Sequence, residues 1–79
     1  MSSMERDDLL KIIGKRIQEI RTSKGYSQVD LAGKIKGTID TTNISRIESG
    51  RTNPTIYTLH RIAEALEVSL EKLMSIEHL

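Results

Sequence analysis

The chain has 79 residues, enough for one small domain with a single modest core, and we expect residues 1–79 to form that one domain. It contains no cysteine, which excludes a disulfide framework, a thiolate metal site and a cysteine nucleophile. The net charge is +1, yet residues 15–61 hold nine bases against four acids, while the two ends together hold three bases against seven acids. A basic middle between acidic ends is typical of a surface that meets a polyanion, although scattered solvated charge gives the same counts.

The first predicted helix runs from about residue 8 to residue 24. Leu9, Ile13, Ile17 and Ile20 recur at intervals of three and four residues, and Gly25 follows as a stop. This spacing predicts one apolar stripe that packs against a core.

Helix 2 is predicted to start directly after this stop. Ser27 is a good N-cap with Asp30 three residues later, and Tyr26 and Leu31 occupy the positions of a hydrophobic staple. Local chemistry therefore predicts a tight turn between helices 1 and 2.

Helix 3 repeats this arrangement at its start. Asp40 is the predicted cap, Ile39 and Ile44 form the predicted staple, and Gly50 ends the helix. Pro54 disfavours helix for the residue before it, so we expect residues 51–54 to be an irregular connection.

Helices 4 and 5 complete an all-α pattern. Thr55 is predicted to cap helix 4, and Ser69 to cap helix 5, which extends over about residues 69–79. The staple of helix 5 is formed by Val68 and Leu73. The residues of helix 4 that we expect to face inward are Ile56, Leu59, Ile62, Ala63 and Leu66.

The N-terminus carries acids where a secretory signal has bases and an apolar run. No apolar stretch approaches the ~20 residues that a membrane span needs. We therefore expect a cytoplasmic protein with no membrane partner.

The outward face of helix 3 is polar but built from short side chains. On a helical wheel Ile44, Ile47 and Glu48 fall together and must face the core. Short side chains let a helix approach its partner closely, and an arginine among them can pair with guanine in the DNA major groove. The residues on this outward face are Thr42, Ser45, Arg46 and Ser49.

Three segments carry a family resemblance: GKRIQEIRTSKGYSQVDLAGKI, NISRIESGRTNPTIYTLHRIAEALEV and SLEKLM. In this order they resemble the Cro/repressor type of helix-turn-helix domain, a xenobiotic-response-element-like family of bacterial and phage regulators. The resemblance covers residues 14–74 and implies a five-helix, lambda-repressor-like fold with the helix-turn-helix at about residues 27–50. It implies a sequence-specific regulator of transcription that binds double-stranded operator DNA, with residues 41–49 as a recognition helix in the major groove.

The resemblance also implies two sets of DNA contacts. Free backbone N–H groups at the start of helix 2 suit an anion, which adds Ser27 to the phosphate set. Gln28 and Arg46 are also compatible with ordinary surface roles, Asn43 and Ser45 with ordinary cap and surface roles, and residues 51–53 with a plain loop. The base-reading set is Thr41, Thr42 and Arg46 from the resemblance, with Ser45 added from the outward face of helix 3. The phosphate set is Gln28, Asn43, Arg51, Thr52 and Asn53 from the resemblance, with Ser27 added from the helix start and Lys36 from the longer turn.

The chain is two residues longer than the usual family pattern between Ala32 and Ile44. We expect Gly37 to absorb the extra length, which lies around KIKGTID. A longer helix 2, or Lys36 and Thr38 placed near the phosphates, are both open outcomes. The base-reading role of Thr41 depends on this turn.

Two charged residues, Arg21 and Glu48, lie on faces that are otherwise inward. In the resembling family these positions form a buried ion pair that ties helix 1 to helix 3. We therefore predict a structural ion pair here.

Glu67 is a second departure from the family, which often has glycine after helix 4.

The apolar residues of helix 5 are spread too widely for one buried stripe. We predict a two-fold homodimer through this helix, with Leu73, Ile76 and Leu79 at the interface. A frayed C-terminus with exposed apolar side chains is the alternative.

No enzymatic site is expected, because the chain lacks a glycine-rich phosphate loop and a histidine/carboxylate constellation. His60 and His78 are expected on the surface, and we expect no metal, cofactor or small-molecule ligand. The remaining alternative to a DNA-binding regulator is a protein-interaction module such as an antitoxin-like partner. The salt dependence of binding separates the two alternatives. A regulator that neutralises phosphates should lose affinity for DNA steeply as the salt concentration rises, whereas a hydrophobic protein interface should not.

Overall fold

The computed structural model describes residues 5–75, and these residues form helices without any strand. The five predicted helices are present, which confirms the all-α prediction. Helix α1 begins slightly earlier than predicted, and α5 is a single turn. The helices are α1 (Arg6–Ser23), α2 (Gln28–Lys34), α3 (Thr41–Glu48), α4 (Ile56–Leu66) and α5 (Leu70–Leu73).

The N-caps predicted for α2 to α5 are all formed. The Ser27 hydroxyl accepts from the backbone N–H of Asp30 at 3.0 Å, and the Asp30 carboxylate accepts from the backbone N–H of Ser27 at 2.9 Å. Asp40, Thr55 and Ser69 each accept from the backbone N–H three residues later. The starts of α2 to α5 are therefore set by contacts within a few residues of sequence.

Buried side chains from all five helices, together with Ile35, form one core. The prediction that Ile56 faces inward is wrong, because its side chain is 65% exposed. It is the first residue of α4, where the side chain points back beyond the helix start and away from the core. The largest fully buried side chains are Ile17, Leu31, Ile44, Ile62, Leu66 and Leu73.

Leu73 also departs from its predicted place at a dimer interface. Its side chain is fully buried in the core of its own chain, so it has no surface left for a second copy. Val68 and Leu70 pack against the same core on the two sides of the Ser69 cap, so the short α5 lies on the core and Leu73 faces inward. The other two predicted interface residues, Ile76 and Leu79, lie outside the described residues.

Helices α1 and α3 are in close backbone contact at Gly14. A Cβ atom at this position would lie 2.5 Å from the carbonyl oxygen of Glu48 and would also overlap that of Ile47. The glycine therefore lets the C-terminal part of α3 rest directly on α1. Gly50 continues this contact with a φ of +75°, and a Cβ there would lie 2.8 Å from Cα of Lys11.

The link between α4 and α5 carries a strained residue. Glu67 has a φ of 58° in the left-handed region, where the resembling family often has glycine. Its backbone N–H bonds to the carbonyl of Glu64, and the backbone N–H of Val68 bonds to that of Ala63. The turn is thus formed at the cost of a conformation that suits glycine better.

Within residues 5–75, no helix combines the length and apolar character needed to cross a bilayer.

Candidate nucleic-acid interface

One buried polar cluster joins α1, α2 and α3 behind the outward face of α3. Arg21 donates from Nε to Oε2 of Glu48 at 2.6 Å and from Nη2 to Oε1 at 3.0 Å. Its Nη1 donates to the carbonyl oxygen of Tyr26 at 2.7 Å. The hydrogen bonds with Glu48 raise the pKa of Arg21 above its ordinary value, although burial acts in the opposite direction. The predicted ion pair is therefore present and fully hydrogen-bonded.

Gln28 contributes a fourth bond to this cluster, the third that Glu48 accepts. Its Nε2 donates to Oε1 of Glu48 at 3.0 Å, and the side chain is half-buried. The sequence pattern assigned Gln28 to a phosphate, and this bond to Glu48 was missed. A side-chain amide has a second N–H, so one amide can hold Glu48 and still donate to an anion at the surface.

The outward face of α3 has the predicted composition. Ile44, Ile47 and Glu48 are buried, which leaves the opposite side of the helix exposed. Thr42 and Arg46 are exposed side chains on that side. Thr41 and Ser45 are half-buried, so they offer less surface to a partner than these two. The face is therefore formed by short polar groups around one long cationic side chain, Arg46.

The 51–53 loop lies at the C-terminal end of α3. The backbone N–H of Arg51 bonds to the carbonyl of Arg46 at 2.9 Å, and Nε of Arg51 donates to the Ser49 hydroxyl at 2.8 Å. Arg51 and Asn53 are exposed, and Thr52 is half-buried. The loop thus places a cation beside the outward face of α3.

The longer turn between α2 and α3 does not lengthen α2. The helix ends at Lys34, Ile35 is buried in the core, and Gly37 takes a φ of +89°. Nε of Arg61 in α4 donates to the carbonyl oxygen of Lys36 at 2.8 Å. No local pattern indicated Arg61, because its partner lies 25 residues away in sequence. The extra length is therefore folded as a loop that α4 holds in place.

Among residues 5–75, no three histidine, aspartate or glutamate side chains come together as a set of metal ligands. His60 is exposed, and its Nε2 lies 3.6 Å from Oε1 of Glu64, one turn away on α4. The chemistry that this face offers is hydrogen bonding and positive charge.

Comparisons with known proteins agree with this arrangement. An uncharacterized HTH-type transcriptional regulator, y4dJ of Sinorhizobium fredii, is 32% identical over 68 residues, which cover 86% of this chain and 86% of that protein. The HTH-type transcriptional regulator SinR of Bacillus subtilis is 37% identical over 68 residues. That match covers 85% of this chain but 60% of SinR.

A solved structure has the same fold. The restriction-modification controller protein C.Esp1396I, a tetramer in complex with its natural 35 base-pair operator, is 40% identical with a TM-score of 0.71. The match covers 84% of this chain and 93% of that chain. The helix-turn-helix family itself matches residues 17–73. The chain therefore belongs to the helix-turn-helix family, in the Cro/repressor type that its sequence resembles.

Proposed function

We propose that this chain is a sequence-specific transcriptional regulator that binds double-stranded operator DNA with α3 in the major groove. The observation that carries the proposal is the outward face of α3. This face presents Thr42 and Arg46 to solvent, while Gly14 and the Arg21–Glu48 pair hold the helix from behind. A reading helix needs both properties, because base contacts demand close approach and a fixed orientation. The structure of C.Esp1396I in complex with its natural 35 base-pair operator supports binding to operator DNA.

The proposal assigns two kinds of contact to the interface. Base edges are read by Arg46 with Thr42 and Ser45 of the same face and Thr41 of the first turn, and phosphates set the register of the helix on the duplex. Arg46 has the reach and the planar donor geometry for guanine O6 and N7. The proposed base-reading residues are Thr41, Thr42, Ser45 and Arg46. The proposed phosphate-binding residues are Ser27, Gln28, Lys36, Asn43, Arg51, Thr52 and Asn53.

We also propose that the active species is a homodimer located in the cytoplasm, where operator DNA is available. Two copies would read half-sites about one helical turn, ~34 Å, apart. The tetrameric assembly of C.Esp1396I supports an oligomer. Because Leu73 is buried, the interface must use other residues, with Ile76 and Leu79 as the remaining candidates.

Selection of bound sites from random duplexes tests the proposal directly. We expect one recurring site with two related halves, and competition by single-base variants of that site should show clear preferences. A bound pool without any recurring sequence would refute sequence-specific reading. Sedimentation of the chain on the selected site gives the stoichiometry, and one copy per site would refute the dimer.

A protein-interaction module is the second candidate, favoured by an apolar groove of about 190 Å³. Leu9, Leu10, Pro54 and Met74 line it together with the exposed side chain of Ile56. An antitoxin-like partner bound there would make an apolar contact with little salt dependence. Binding to DNA should instead weaken steeply with salt, so one titration distinguishes the two functions.

A further inference from the structure

A second groove opens beside the reading face of α3, between the longer turn and α4. Its volume is about 490 Å³, and it is open to solvent. It combines two arginines, from α3 and α4, with hydroxyl and amide side chains. The residues that line it are Thr38, Ile39, Asp40, Thr42, Asn43, Arg46, Thr58 and Arg61.

Arg61 is fixed in this groove by one end of its guanidinium group. Nε donates to the carbonyl oxygen of Lys36 at 2.8 Å, and the guanidinium carbon lies 5.7 Å from the centroid of the Tyr57 ring. Gly37 leaves room for the group, since a Cβ there would lie 2.8 Å from Nη2 of Arg61. The side chain is half-buried, so its position is defined before any ligand arrives.

The two terminal nitrogens of Arg61 remain available. Their N–H groups have no hydrogen-bond acceptor among residues 5–75, although the side chain lines the groove. A guanidinium held at Nε with both terminal amino groups free is arranged for bidentate binding of a phosphate. Arginine is also the residue type that pairs most readily with phosphate in this geometry.

Two other charged side chains line the groove. Arg46 adds a second cation, and Asp40 supplies the one carboxylate among the lining residues. That carboxylate already accepts the backbone N–H of Asn43 at 2.7 Å in its role as N-cap. The groove therefore keeps a net positive charge, and its hydroxyl groups can donate to the same anion.

The location of the groove suggests the source of the anion. Thr42 and Arg46 belong both to this groove and to the proposed reading face, so a duplex read by α3 lies directly beside it. A helix in the major groove is flanked by the sugar-phosphate backbones of both strands. We propose that this groove binds one phosphate of the operator backbone, with Arg61 as its main donor. The inference rests on the proposed function and adds a contact from outside the helix-turn-helix.

The test measures affinity for the selected operator as a function of salt in the full-length chain and its variants. Arg61→Ala should reduce the slope of log K against log salt by about 0.9, which makes the loss of affinity between 50 and 200 mM salt about 3.5-fold smaller than in the parent. Arg61→Lys keeps the charge and should retain most of the slope. Arg16→Ala is the matched control, because Arg16 also donates from its guanidinium to a backbone carbonyl, that of Lys72 at 3.3 Å, but on the α5 side.

Neutral methylphosphonate groups, placed singly along each operator strand, identify the phosphate. Neutralising one particular phosphate should weaken binding by the parent and by the Arg16→Ala variant about tenfold, as expected when a single charge-assisted contact is lost, and should weaken binding by Arg61→Ala much less. An unchanged salt slope for Arg61→Ala, with selective binding by the parent, would mean that Arg61 holds only the turn and would overturn this inference alone. A parent without sequence preference would refute the proposed function, whereas a parent that bound no duplex would overturn both.

Discussion

Replacing Glu48 with glutamine tests the polar cluster that holds α1, α2 and α3 together. The Glu48 carboxylate accepts two bonds from Arg21 and one from Gln28, and both members of the ion pair are buried. Glutamine has nearly the same shape but no charge, and its amide N–H groups would face the N–H donors of Arg21 and Gln28. Arg21 would then be a buried cation without a counter-ion, which costs about 3 to 5 kcal/mol.

That cost is large for a chain of this size. A domain of 79 residues has a total stability of roughly 4 to 12 kcal/mol. Each kcal/mol shifts the Tm of such a small domain by about 4 to 8 °C, so Glu48→Gln should lower the Tm by at least ~12 °C. Thermal unfolding followed by circular dichroism gives this number directly.

A double variant separates the lost pair from a general defect of packing. Arg21→Met with Glu48→Leu removes both charges and keeps apolar volume, so it should be more stable than Glu48→Gln alone. A Tm for Glu48→Gln within about 1 °C of the parent would refute the reasoning, because such a small shift corresponds to well under 1 kcal/mol.

Three further predictions concern the reading face, the strained turn and the cap of α2. Arg46→Ala should cost roughly 1 to 3 kcal/mol on the selected operator and flatten preference at one base pair, whereas Arg51→Ala should weaken all duplexes alike; competition against single-base operator variants tells the two apart. Glu67→Gly should raise stability by about 1 kcal/mol in denaturant titration, because glycine adopts the φ of 58° without strain; a lower stability would contradict this. Hydrogen bonds from the Ser27 backbone and hydroxyl lower the pKa of Asp30, so its contribution to stability is present at neutral pH and lost as the pH falls through that lowered value. The Tm difference between the parent and Asp30→Asn should therefore shrink in acid, and a difference independent of pH would count against the capping box.

The features that were predictable from sequence are those set within a few residues. The caps at Ser27, Asp40, Thr55 and Ser69 are examples, because the accepting side chain and the donating N–H are only three residues apart. The Arg21–Glu48 pair spans 27 residues, and the sequence indicated it through two charges on inward faces and the family resemblance.

Long-range contacts without such a signal were missed. The bond from Arg61 to the Lys36 carbonyl involves a backbone acceptor, which any residue type provides, so no residue pattern marks it. The bond from Gln28 to Glu48 was missed because a polar residue at a helix start also fits a solvent or phosphate role. Ile56 fits the apolar spacing of α4, but its place at the first helical position turns it outward.

The bare backbone contact at Gly14 has a consequence for how this protein would meet different operators. At Gly14 the backbone of α1 touches the carbonyls of Ile47 and Glu48 directly, so at this point no side chain lies between the helices that could compress and let α3 tilt. If α3 cannot change its angle to fit a groove of different width, the duplex itself must change shape. Affinity would then depend on how easily a given sequence bends or changes its twist, including base pairs that no side chain touches.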